Sequence, residues 1–253
     1  MQLAPSAQAA GWGAKILDTC ASTNAEALAL VHAGVSRPTW VVARTQTGGR
    51  ARRGRSWTSE PGNLYTSLFL PDPAPPGCAA QLSFVTALAV RDAVVAGAPE
   101  HAARLRLKWP NDVLCDGKKI AGLLLEGEMG RFFTVAIGIG VNCRHHPEGT
   151  EFPATDLAAS GIDLDPGALF RHLSGTMLFR LDMWKRGDGF AAIRSDWLAD
   201  AAGIGGRVRV RLETREFSGL FETLDADGHL IVTKDDGIRE TVAAGDVFPL
   251  GSA

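Results

Sequence analysis

One run of residues limits the architecture more than any other: Phe132 to Asn142, FFTVAIGIGVN, is apolar at nearly every position. An extended segment without polar alternation offers no face to water, so it reads as a strand at the centre of a sheet. Shorter strands precede it. Pro38–Arg44 and Asn63–Leu70 are rich in β-favouring residues, and Arg104–Lys108 alternates. Val113–Cys115 and Ile120–Glu126 flank Asp116-Gly117, a hairpin turn signal.

Helices fall between these strands. Thr23 with Glu26 three residues on forms a capping-box pattern, and Gly34 sits where that helix should stop. From Ala79 to Gly97, residues Leu82, Val85, Leu88, Ala89 and Val94 keep near-helical spacing. Leu169, Leu173, Met177, Leu181 and Trp184 do the same, and Phe190–Leu198 predicts one more helix. After Gly203-Ile204-Gly205-Gly206 the pattern changes to short strands at Val208–Leu212, Phe217–Leu224, Leu230–Thr233 and Arg239–Val242. Turns such as Asp227-Gly228 and Asp236-Gly237 separate them, predicting a small, separate β-barrel. The boundary falls near Ala202–Gly206, dividing the chain into 1–203 and 204–253.

Composition narrows the function classes. The formal net charge is -2, so no global basic field draws in nucleic acid or an acidic membrane. Cys20, Cys78, Cys115 and Cys143 form no CxxC pair, and adjacent His145 and His146 are poor geometry for one metal. MQLAPSAQAA lacks the basic and apolar regions of a signal peptide, and no uninterrupted apolar run reaches membrane-spanning length. These features predict a reduced, cytoplasmic, soluble protein.

Three segments carry chemistry. In Gly48–Trp57, Arg50, Arg52, Arg53 and Arg55 are spaced by small residues, so backbone amides and guanidinium groups can wrap an oxyanion. Trp57 offers a flat face for an adenine-like ring; a phosphate-binding P-loop is excluded because Gly-Lys-Ser/Thr is missing. On composition alone, a solvated basic loop or a nucleic-acid patch fits this segment equally. The second segment runs from Lys108-Trp109-Pro110-Asn111-Asp112 to Lys118-Lys119. There Asp112 could hold magnesium or orient an amine, and Lys119 could neutralise charge growing on an α-phosphate. Taken singly, Asn111-Asp112 reads as a turn, and Lys118 and Lys119 read equally as solvated hairpin charges. The third, Ser22-Thr23-Asn24, reads as a helix cap that could also bond a small polar head group.

Taken in order, Ser22-Thr23-Asn24, Gln46 with GRARRGRSW, KWPNDV, KKIAGLLLE and GIGVN ending at Asn142 resemble biotin–protein ligases over most of Leu17–Asn142. Each motif alone is weak; the ordered set is specific. The resemblance implies an α+β fold of the class II synthetase and biotin–lipoate ligase type: a mixed β-sheet packed against helices, then a small C-terminal SH3-like barrel. It implies that biotin attacks the α-phosphate of Mg2+-ATP, and that a lysine of a biotin carboxyl carrier domain then takes biotin from the adenylate. By matching position, Ser22, Thr23, Asn24 and Gln46 would surround the biotin head group. Arg50, Ala51 and Arg52 would line the loop closing over biotin, with Lys119 at the carboxylate or phosphate end. Arg53, Arg55, Trp57, Asn111 and Asn142 would serve the nucleotide. Arg52, Lys119 and Asp112 would be catalytic, with Asp112 supporting magnesium or lysine positioning.

Two departures from the family pattern stand out. Ala51 replaces the usual middle glycine of the arginine loop, at a cost of about 1 kcal/mol if that position needs positive φ. Too little chain precedes the catalytic region for a DNA-binding winged helix, so the expectation is a ligase that is not a repressor. The sequence leaves a homodimer through an exposed sheet edge open. Two rivals also remain: a lipoate ligase or octanoyl transferase using Cys115 or Cys143, and a nucleic-acid module using the arginine loop with Arg207, Arg209 and Arg211.

Overall fold

The computed structural model describes residues 1–250. Its strands are β1 (Gly13–Cys20), β2 (Thr39–Gln46), β3 (Leu64–Pro71), β4 (Leu105–Lys108), β5 (Asp112–Cys115), β6 (Lys118–Met129) and β7 (Phe133–Val141). They form one seven-stranded sheet in the order β1-β2-β3-β7-β6-β5-β4, which puts the apolar run at its middle. Only β1 and β2 pair in parallel; the remaining pairs are antiparallel, so the sheet is mixed.

Both faces of β7 are covered, which explains why its sequence does not alternate. The helices are α1 (Pro5–Ala9), α2 (Thr23–His32), α3 (Leu82–Gly97), α4 (Pro166–Trp184) and α5 (Phe190–Ala199). On one face Ala136 meets Ala27 of α2, with Val41 and Phe69 beside them. Its neighbours in sequence, Val135 and Ile137, point the other way into the main core with Val85, Leu88, Leu169 and Leu173 of α3 and α4. Trp40 is fully buried there and meets Phe170 edge-on, ring centres 5.5 Å apart. Helix α4 starts where Asp165 accepts hydrogen bonds from the amides of Gly167 and Ala168, an N-cap worth about 1 kcal/mol.

The segment Pro76–Gly97 is long and apolar enough, at mean hydropathy 1.4, to cross a membrane by composition. It is instead a 3-10 turn leading into α3, whose residues Leu82, Val85, Leu88, Ala89 and Val94 are buried against α4 and the sheet. The capping box at α2 does not form. Ser22, not Thr23, is the N-cap, without a side-chain bond, because Thr23 Oγ1 turns to Gln46 and Glu26 pairs with Lys15.

The C-terminal unit is built from β8 (Arg207–Arg211), β9 (Glu216–Leu224), β10 (Leu230–Lys234), β11 (Arg239–Val242) and β12 (Asp246–Pro249). It is an antiparallel sheet in the order β11-β10-β9-β8-β12, and no pairing of β11 with β12 closes it among the described residues. Nor is it separate. Val208, Val210, Phe221 and Val232 join the same core as α3, and Trp109 Nε1 donates to Gly228 O at 3.1 Å. Ala202 N bonds Leu107 O in the first sheet, whereas Gly205 N bonds Phe221 O in the C-terminal sheet. The last residues of the expected 204–253 unit, 251–253, lie outside the described residues.

Candidate functional site

A cavity of about 490 Å³ opens between the start of α2, the arginine loop, β6, β7, the segment around Glu151 and the C-terminal sheet. Its floor is made of glycine. A Cβ on Gly140 would lie 2.5 Å from Trp57 Cε2, one on Gly122 would lie 2.8 Å from Trp57 Cζ3, and one on Gly138 would lie 2.5 Å from Asn24 Oδ1. These strand positions are bare so that a flat ring and an amide can rest on the sheet. Sequence reasoning missed this floor, although Gly138-Ile139-Gly140 inside a strand is its visible signal.

At one end sit Ser22, Thr23, Asn24 and Gln46, the first three almost completely buried. Gln46 Oε1 accepts from Thr23 N at 2.8 Å and Thr23 Oγ1 at 3.1 Å, and its Nε2 donates to Ser59 at 3.0 Å. Ser67, fully buried on β3, donates its one hydroxyl proton between Thr23 Oγ1 and Asn24 Oδ1. A small polar ligand therefore meets a pre-set network rather than free side chains, and the Ser22 hydroxyl, with no partner among the described residues, faces it.

The arginine loop closes over the other end, and the C-terminal sheet holds it there. Arg52 donates to Asn111 Oδ1 at 3.1 Å and to Gly245 O at 3.3 Å. Asp246 of β12 lies 3.8 Å from Arg52, 3.2 Å from Arg53 and 3.5 Å from Arg55. Three guanidinium groups share one carboxylate, which leaves an excess of positive charge suited to phosphate oxygens. Burial lowers the Arg52 pKa, offset in part by Asp246 and Asp112; the group stays charged. Arg53 does not line the cavity itself; Arg50, Ala51, Arg52 and Arg55 do. Ala51 has φ -122, ordinary extended backbone, so the expected strain is absent; the left-handed residues are Arg53 and Gly54.

Between the two ends lies Asp112. Its Oδ2 accepts from Lys108 Nζ at 2.8 Å, and its Oδ1 is 2.5 Å from Lys119 Nζ in an ion pair that lacks hydrogen-bond angles. Burial pushes this carboxyl up, but Lys108 and Lys119 more than offset it and hold it at about 2. A carboxylate engaged by two ammonium groups is a poor ligand for magnesium, because the ion would sit beside both of them. Lys119 packs over the Trp57 ring at 5.4 Å. Lys118 is exposed and outside the cavity, and the motif's Trp109 anchors the C-terminal sheet instead. Sequence reasoning missed Lys108 as the second partner of Asp112; alternation along β4 was its signal. Asn142 is buried, with Nδ2 on Thr155 O at 3.0 Å.

The groups invoked by the rival readings are occupied. Arg207 pairs with Asp235, and Arg209 and Arg211 pair with Glu216 and Glu151, so β8 presents no bare basic stripe. Cys115 and Cys143 are buried, and burial drives the Cys143 thiol up to about 12, far from a reactive thiolate.

A cavity with a polar pocket at one end, a cationic seat at the other and two lysines on one carboxylate between them is built for joining a small acid to a nucleotide. The profile of the Biotin/lipoate A/B protein ligase family matches residues 18–142, and that of the Biotin protein ligase C terminal domain matches residues 203–248. The Biotin--[acetyl-CoA-carboxylase] ligase of Paracoccus denitrificans is 43% identical over 236 residues, covering 90% of this chain and 96% of that protein. Among solved structures, the biotin protein ligase from Aquifex aeolicus in complex with biotin and ATP aligns with TM-score 0.77 at 26% identity over 94% of this chain and 98% of that one. The Leishmania major enzyme in complex with biotinyl-5-AMP aligns with TM-score 0.65 at 26% identity, over 92% of this chain and 99% of that one. The chain belongs to the biotin–protein ligase family.

Proposed function

We infer that this chain is a biotin–protein ligase that makes biotinyl-5′-adenylate from biotin and ATP and then biotinylates a lysine of a carboxylase carrier domain. The single observation that carries the residue assignments is the cavity, which joins a buried polar pocket to an arginine-rich seat through Asp112 and Lys119. The biotin head group takes the pocket of Ser22, Thr23, Asn24 and Gln46, and its carboxylate points toward Lys119. The α-phosphate lies between Lys119 and Arg52, whose charges offset the charge that develops as the carboxylate oxygen attacks and pyrophosphate leaves. Trp57 and Asn142 serve the adenine side with Asn111, and Arg53 and Arg55 act through Asp246 on the loop. Residues 1–203 and 204–253 are the two functional units, the second supplying the wall that holds the loop.

Asp112 orients Lys108 and Lys119 in this reading and is too acidic to serve as a base. Magnesium enters with the triphosphate of ATP, and no step is routed through it. The closed loop keeps water from the mixed anhydride until an amine replaces AMP. Four free thiols suit a reducing cytoplasm. The outer edge of β1, where Ala14, Lys15 and Ile16 are exposed, is where a second copy would pair.

Mass spectrometry of a biotin carboxyl carrier domain, incubated with this protein, biotin and Mg-ATP, should show one added biotin on one lysine. An unmodified carrier, with biotinyl-adenylate accumulating beside it, would confine the protein to the first half-reaction.

A further inference from the structure

Glu126 is the last residue of the KKIAGLLLE motif, and the resemblance assigns it no role. It lies on β6, and its Oε2 accepts from Asn24 Nδ2 and from Arg50 Nη2, both at 2.8 Å. The Asn24 amide is already bonded at both ends. Its Oδ1 takes the Ser67 hydroxyl at 2.5 Å, its Nδ2 also reaches Leu124 O at 3.2 Å, and bare Gly138 leaves the space it fills. It works as a spacer between the pocket floor and Glu126. Arg50 has no other side-chain partner among the described residues, whereas Arg52, Arg53 and Arg55 converge on Asp246. The loop is therefore pinned at two carboxylates, and only Glu126 is wired to the pocket.

We propose that Glu126 is a positioning residue that ties the start of the arginine loop to the biotin pocket, so that filling the pocket and closing the loop reinforce one another. The proposal rests on the reading of that pocket as the biotin site. One carboxylate oxygen holding an amide and a guanidinium fixes the two relative to each other. A ligand that stiffens Asn24 stiffens Arg50 through it, and a settled Arg50 in turn retains the ligand. Asp246 keeps the nucleotide end of the loop in place independently.

The test compares wild type with Glu126→Gln and Arg50→Gln in biotin-dependent pyrophosphate release and in retention of the adenylate by the enzyme. Loss of a charge-assisted hydrogen bond should raise the KM for biotin roughly tenfold and speed adenylate loss by a similar factor. In Glu126→Gln the KM for ATP and the kcat at saturating biotin should stay within about twofold of wild type. The double variant should be no worse than either single one, since both cut the same link. A merely structural role would raise both KM terms and lower kcat together or act additively, and that result would overturn the proposal. So would an unchanged biotin KM in either variant. Arg50 is half exposed, so Arg50→Gln reads the same link if Glu126→Gln fails to fold. Wild type silent with biotin would instead sink the reading of the pocket, and this proposal with it.

Discussion

Replacing Asp112 by Asn removes the charge that holds two ammonium groups, and the structure sets the size of the effect. Asp112, Lys108 and Lys119 have side-chain exposures of 8%, 8% and 25%. A carboxyl held at about 2 rather than 3.8 contributes about 2 kcal/mol to folding at neutral pH. Because the folded value is the lower one, this contribution is complete above the unfolded value and is lost as pH falls through about 2. The substitution costs more than that, since Lys108 is left buried without a counter-charge; such losses run to about 3–5 kcal/mol. Lys119, the more exposed, can turn to water. Urea unfolding followed by tryptophan fluorescence should show a lower midpoint with unchanged slope, and melting should drop by roughly 6–20 °C. Adding Lys108→Met, which removes the orphaned charge, should restore at least half of the loss. A single variant within about 0.5 kcal/mol of wild type would refute the buried triad.

Arg52→Gly removes the bonds to Asn111 and Gly245 and should release adenylate about tenfold faster, seen as free biotinyl-AMP in the filtrate and diffuse labelling of bystander proteins; equal retention would contradict it. Gly140→Ala places a methyl 2.5 Å from the Trp57 ring and should raise substrate KM about tenfold while shifting Trp fluorescence. The control Gly130→Ala, whose Cβ meets nothing nearer than 3.9 Å, should change neither. A thiol reagent at pH 8 should leave Cys115 and Cys143 untouched in the native protein and reach all four cysteines after denaturation; rapid native labelling of Cys143 would show that its burial is wrong.

Much of the fold could be read from the chain because burial dictates pattern. β7 lost its polar alternation since both faces meet helices, and α4 kept its stripe because one face meets the core. β1 was missed because it is an edge strand with mostly exposed residues, and β12 because four residues carry no period. The C-terminal strands show a similar limit: short strands reveal antiparallel pairing but not whether the first and last meet. For the cavity, the motif residues gathered as their spacing in the family resemblance implied, with Arg53 and Lys118 outside it. Glu126 and Asp246 act by pairing with residues distant in sequence, which leaves no local trace, and the short motif that holds both Lys108 and Asp112 does not itself say that they pair.

The most direct test of the central claim is pyrophosphate release from Mg-ATP by the purified protein, with biotin, lipoate and octanoate as parallel substrates. Release with biotin alone is the expected result, and it would establish that the polar pocket and the arginine seat act on one acid. Release driven by lipoate but not by biotin, or by none of the three acids, would contradict the account.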